Sequence, residues 1–95
     1  MLIEAPYKVG DVVSLKLSSG EEVIGSLEDE NPSFYTLKKP LMVAATQQGL
    51  GLAPFMFTVS PETKVKLNKT NILCVVKTDE QMASQYIQST TGIAV

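Results

Sequence analysis

The chain has no histidine, no arginine and no tryptophan, and it has one cysteine. Each absence removes a class of chemistry. Without histidine there is no side chain whose ordinary pKa lies near neutrality to act as a general base. Without arginine there is no planar fork for bidentate contacts to phosphate or guanine. Cys74 has no partner for an internal disulfide. It lies in the apolar run Ile72-Leu73-Cys74-Val75-Val76, which predicts a small core hydrophobe in a reducing, cytoplasmic compartment. No apolar run reaches the ~18 residues of a membrane-spanning helix. Residues 1–6 lack the basic and long apolar segments of a signal peptide.

What remains is the composition of one small globular domain. The 95 residues are 44% hydrophobic, enough to bury roughly two-thirds of the unfolded surface around a modest core. The net charge is −2, and all eight cations are lysine. Nucleic-acid-binding domains usually carry a positive face. Any RNA binding here would therefore be local, on a small patch or on a pore repeated by symmetry.

Strand periodicity dominates as far as Lys77. Residues 9–17 alternate, with Val13, Leu15 and Leu17 on one face. Ser18-Ser19-Gly20-Glu21 is a turn. Residues 22–28 alternate again, with Val23 and Leu27 facing the core. Gly25 lies between them, where it permits a bend and a close backbone approach. Asp29-Glu30-Asn31-Pro32-Ser33 is a turn by composition. Phe34 to Leu37 begins a third strand, which Lys38-Lys39-Pro40 interrupts. Residues 41–46 resume it. Gln47-Gln48-Gly49-Leu50-Gly51 reads as a flexible loop, and residues 55–59 as the returning strand of a long hairpin. Ser60-Pro61-Glu62-Thr63 breaks that strand and residues 64–67 continue it.

Asn68-Lys69-Thr70-Asn71 is a tight turn. The strand after it is apolar on both faces and so needs cover on both. The period then changes. Thr78-Asp79-Glu80-Gln81 fits a capping box with Thr78 as the cap. Met82, Ala83, Tyr86 and Ile87 form one apolar face of a helix over about 79–89, too short to stand alone. Residues 90–95 read as a tail. The expected architecture is a mainly β, strongly bent five-stranded barrel over about 8–77 with a short C-terminal helix.

The spacing resembles the Sm and Sm-like family. Gly10, Val13, Leu15, Leu17, Gly20, Val23, Gly25 and Leu27 match the frame of its first signature. Asn31 stands where the family has an aspartate, and Phe34-Tyr35 where it has an apolar-asparagine pair. Leu67-Asn68-Lys69-Thr70-Asn71-Ile72 fits the frame of the second signature, with Asn68-Lys69 in place of arginine-glycine. A narrower similarity, through Tyr86 and the Gly92-Ile93 tail, is to divergent Sm-like proteins of tailed phages of marine cyanobacteria. It would place the chain in a host-cell cytoplasm. The family's usual helix precedes the first strand, whereas the helix signal here is C-terminal.

The resemblance implies an SH3-like barrel and a homo-oligomeric ring of roughly five to seven subunits. In that ring one subunit's fourth strand pairs with the next one's fifth, which uses up open edges. The candidate interface residues are Phe55, Phe57, Val59, Leu73 and Val75. The resemblance also implies single-stranded RNA binding at the pore face, with Asn31, Phe34, Tyr35, Asn68, Lys69 and Asn71 as the candidate site. Because Tyr35 and Asn68 replace the family's pocket groups, that pocket is expected to be altered.

The same residues have structural readings. Phe34 and Tyr35 fit core packing as well as base stacking. Asn68 to Asn71 fit a turn chosen for its geometry, and Lys38-Lys39 fit protection of an exposed strand edge. A scaffold ring that binds a protein partner is the alternative function. No metal-spaced cluster, phosphate loop or nucleophile elbow is present, and Gly49-Leu50-Gly51 lacks a phosphate-loop frame. Neither an enzyme nor a cofactor is expected.

Overall fold

In the computed structural model, which describes residues 6–91, the sheet grows from one hairpin. Strands β1 (Val12–Leu17) and β2 (Glu22–Glu30) pair antiparallel from Val12↔Ser26 to Lys16↔Glu22. Gly20 closes the turn at φ 105°, a conformation that suits a residue without a side chain. Alternation places Val13, Leu15, Val23 and Leu27 in the core, where Leu37 joins them. Burying each of these side chains contributes about 1.5–3 kcal/mol.

Gly25 does what its position predicts. A Cβ there would stand 3.1 Å from Leu37 Cδ1, tighter than ordinary packing. The β2–β3 register shifts on either side of it, between Ile24 and Ser26. A bulge at that point bends the sheet.

Strand β3 (Phe34–Thr46) runs through Lys38-Lys39-Pro40 instead of stopping there. The chain absorbs the proline by a kink: Lys39 takes φ 52°, a left-handed conformation uncommon for a side-chain-bearing residue. Beyond the kink, β3 pairs with β4 (Gly49–Pro54), from Leu41↔Pro54 to Thr46↔Gly49. Before it, β3 pairs with β5 (Lys64–Asn68), from Phe34↔Asn68 to Lys38↔Lys64.

This pairing corrects the hairpin expected from the sequence. The returning strand is β4, and residues 55–59 form no strand. Gly49, at φ 117°, makes a two-residue turn at Gln47-Gln48 rather than a loose loop. The alternation of Phe55, Phe57 and Val59 has no ladder to join. β4 and β5 occupy β3 on both sides of the kink, so residues 55–63 loop out opposite Lys39 and Pro40.

A 3-10 turn (Lys69–Asn71) leads into β6 (Ile72–Lys77), which pairs with β1. The strand order is β4-β3-β2-β1-β6, with β5 also on β3, so the described residues form six strands rather than the five expected. A register shift opposite Lys16 and Leu17 disrupts the alternation of β6. Ile72 and Val75 pack on the core while Leu73 and Cys74 turn outward. Cys74 is therefore exposed, not the core residue expected.

Helix α1 (Glu80–Thr90) is capped by Asp79, whose carboxylate accepts from Gln81 N at 3.2 Å. Thr78 does not cap it. Its N–H still donates to Val12 O in the sheet, and its hydroxyl lies 2.8 Å from that of Ser14. Tyr86 is the buried residue of the helix, while Ile87 is about half exposed. The Tyr86 hydroxyl accepts from Ser26 N and donates toward the carbonyls of Lys38 and Lys39, at 2.9 and 2.8 Å. One phenol thus holds the β3 kink against β2, and burial pushes its pKa up to about 12. Gly92 and Ile93 lie outside the described residues, as does the segment 1–5.

Candidate nucleic-acid interface

Two turns meet at the end of the sheet where β2 passes into β3 and β5 into the 3-10 turn. In the first, Asn31 Oδ1 accepts from the backbone N–H groups of Ser33 and Phe34, both at 2.8 Å. In the second, Asn68 Oδ1 accepts from Thr70 N at 3.0 Å and from its hydroxyl at 2.9 Å. A backbone bond from Lys69 N to Ser33 O, 2.9 Å, joins the turns. Phe34 and Asn68 stand opposite each other in the ladder. The two asparagine oxygens are committed to turn geometry, and the amide NH2 groups are what each side chain offers a ligand.

The charge at this end is balanced. Lys69 Nζ lies 2.6 Å from Glu30 Oε2 and 4.7 Å from the centre of the Tyr35 ring. The other Glu30 oxygen, Oε1, accepts from the Tyr7 hydroxyl at 3.0 Å. Tyr7 and Tyr35 meet edge to face, with ring centres 6.4 Å apart and hydroxyls 3.4 Å apart. The hydrogen bond from Lys69 holds the Glu30 carboxyl below its usual range. Burial, and then bonding to Tyr35 and Glu30, pushes the Tyr7 phenol above its ordinary value.

Five of the six residues expected at an RNA site therefore lie at this end of the sheet: Asn31, Phe34, Tyr35, Asn68 and Lys69; Phe34 and Tyr35, consecutive in β3, face opposite sides of it, with Tyr35 packed against the core beneath Lys69. Asn71 ends the same 3-10 turn, and its carbonyl accepts from Ser18 N of the β1–β2 turn. Two members of the cluster carried no sequence signal. Glu30 reads as a turn carboxylate, and Tyr7 as an isolated aromatic ahead of β1. No local pattern links positions 7, 30 and 69.

The candidate interface residues divide. Phe55 and Val75 are half-buried against the chain's own core. Phe57 is 82% exposed and Leu73 68%, with Val59 also exposed. Phe55, Phe57 and Val59 line a groove of about 410 Å³ between the 55–63 loop, the β3 kink and the end of α1. Among the described residues, no group of three histidine, cysteine or acidic side chains could hold a metal ion. No described helix is long and apolar enough to cross a membrane.

No family model matches the chain, and no curated protein matches it in sequence. Solved structures do match in shape. One is a heptameric archaeal Sm protein, at 14% identity and a TM-score of 0.53, covering 75% of this chain and 90% of the other. Another is the P. aerophilum SmAP1 heptamer, with the same identity, TM-score and share of this chain, and 82% of its own. The fold is the Sm fold. The bent sheet is thus that of the Sm fold, with the helix appended at its C-terminal side.

Proposed function

We propose that this Sm-like chain is a non-catalytic module that assembles into a homo-oligomeric ring and binds single-stranded RNA through an altered pocket. The observation that carries the reading is the placement of Asn31, Phe34, Asn68 and Lys69 at one end of the sheet, where Lys69 N and Ser33 O stitch the two turns and Lys69 also covers the Tyr35 ring. Phe34 offers a stacking face. The asparagine amides offer donors to base edges, and Lys69 offers charge to a phosphate. Ring closure is supported by the edges of β5 and β6, which have no further strand partner among the described residues. It is also supported by the heptameric assembly of the solved Sm proteins that share the fold. An exposed thiol at Cys74 suits a reducing cytoplasm.

Two measurements test this. Light scattering on a sizing column should give the mass of a ring, and Leu73→Lys at the β6 edge should reduce it to that of the monomer. Fluorescence anisotropy with an oligo-U strand should show salt-sensitive binding. Phe34→Ala should weaken it by about 1–3 kcal/mol for each base stacked. A monomeric wild-type chain would remove the ring, and salt-insensitive or absent binding would remove the RNA.

A scaffold ring for a protein partner is the second reading, favoured by the exposed Phe57 beside an apolar groove. A ring that ignores RNA and loses a bound protein on Phe57→Ser would establish it.

A further inference from the structure

We propose that Glu30 and Tyr7 act as a built-in occupant of the RNA site, competing with nucleic acid for Lys69 and Tyr35 and so holding the ring in a weak-binding state. The inference rests on the RNA reading above and deepens it. Lys69 is the cation placed at the junction of the two turns, and it already has an anionic partner: one Glu30 oxygen at 2.6 Å. The ammonium also lies over the Tyr35 ring, so the ring face a base would stack on is covered. Tyr7 completes the arrangement. Its hydroxyl binds the second Glu30 oxygen at 3.0 Å, and its ring meets Tyr35 edge to face. A carboxylate thus sits where an incoming phosphate would sit, and a tyrosine edge abuts the Tyr35 ring that an incoming base would use.

The occupant is displaceable. Glu30 and Lys69 keep 31% and 27% of their side-chain surface exposed, so the pair is partly covered but still open to solvent. Exposed pairs of this kind are weak and are screened by salt. A phosphate that replaces the carboxylate recovers the charge pairing with Lys69, whereas a base gains the Tyr35 ring only by moving Tyr7 off its contact with the core. Glu30 itself would be left without its cation, which makes binding weaker than the same pocket would give without it. The charged and titratable groups that meet Lys69 here are Glu30 and Tyr35, with Tyr7 bonded to the other oxygen of Glu30. Lys64, at the other end of β5, is held by Glu28 at 2.9 Å.

The test is oligo-U anisotropy over a salt series on the intact protein, with ring mass and melting temperature confirmed for each variant. Glu30→Gln should tighten binding roughly two- to fivefold at low salt for each subunit the strand touches. It should also steepen the salt slope by about 0.7 per freed lysine. In the Glu30→Gln background, Lys69→Gln should take away both gains, which a purely structural role for Glu30 does not predict. Tyr7→Ala, which keeps the carboxylate but removes the ring packed against Tyr35, should give a smaller gain with an unchanged slope. If the wild type binds and Glu30→Gln binds equally or more weakly, the occupant is overturned while the RNA reading stands. If neither binds at any salt, both are overturned. If only Glu30→Gln binds, the occupant is established in its strongest form.

Discussion

The two halves of β3 are parts of one strand with different surroundings. The half before the kink lies between β2 and β5, with Thr36 and Leu37 buried. The half beyond Pro40 lies between β2 and β4 as far as Val43, then projects with β4 alone until Ala44, Ala45, Thr46 and Leu50 are all exposed. Both halves satisfy their backbone hydrogen bonds by pairing. Only the first adds a core, two ion pairs to β2 through Lys64 and Lys69, and the meeting of the two turns. Hydrogen bonding makes a strand, but burial decides which part of it carries stability.

The sharpest break of this contrast is one substitution made in each half. Leu37→Ala, at a fully buried position, should cost about 2–5 kcal/mol in a urea unfolding series. Leu50→Ala in the projecting hairpin should stay within about 0.5 kcal/mol. Equal losses would mean that the hairpin tip is packed. Next in size is Gly25→Val. Its added methyls enter the 3.1 Å space against Leu37, and overpacking of this kind costs about 1–3 kcal/mol. A melting temperature at the wild-type value would remove the close approach assigned to Gly25.

Tyr86→Phe probes the kink that separates the halves. It deletes the hydroxyl that serves Ser26 N and the carbonyls of Lys38 and Lys39. A loss of about 1–3 kcal/mol is expected, with faster amide exchange at Ser26. Unchanged exchange there would show that the kink holds itself. The smallest effect concerns pH. Hydrogen bonds from Lys64 and Lys69 hold the Glu28 and Glu30 carboxyls below their unfolded value of 4.5. Carboxyls depressed in this way contribute stability above that value and lose it as pH falls through their folded pKa. Acidification below about pH 4.5 should therefore speed exchange in β5 before it speeds exchange in β4. The reverse order would place the weak half of the sheet elsewhere.

How legible each part was follows from the range of its cause. The β1–β2 hairpin, its glycine turn and the bend at Gly25 depend on residues within a few positions of one another, and alternation predicted them closely. The same holds for β5, for the start of β6 and for the helix, whose cap moved by one residue because Thr78 was still held by β1. The assignment of 49–51 as a loop and 55–59 as a strand depended on something no local window contains. β3 has one free edge, and once 49–54 and 64–68 occupy it, the alternating residues between them have nothing to pair with.

The candidate site divides in the same way. Turn chemistry at Asn31 and at Asn68 is local, so the sequence by itself determined both turns, the strands they join and the types of group they display. That Lys69 is answered by Glu30, 39 positions away, and that Tyr7 closes over Tyr35, only the tertiary structure decided. The outward turn of Cys74 was decided there too, through a register shift against β1. The physical reason is common to these cases. Backbone conformation and side-chain alternation are set by near neighbours along the chain. The pairing of charges, the covering of rings and the register of a strand are set by whichever distant segments the bent sheet brings within a few ångströms.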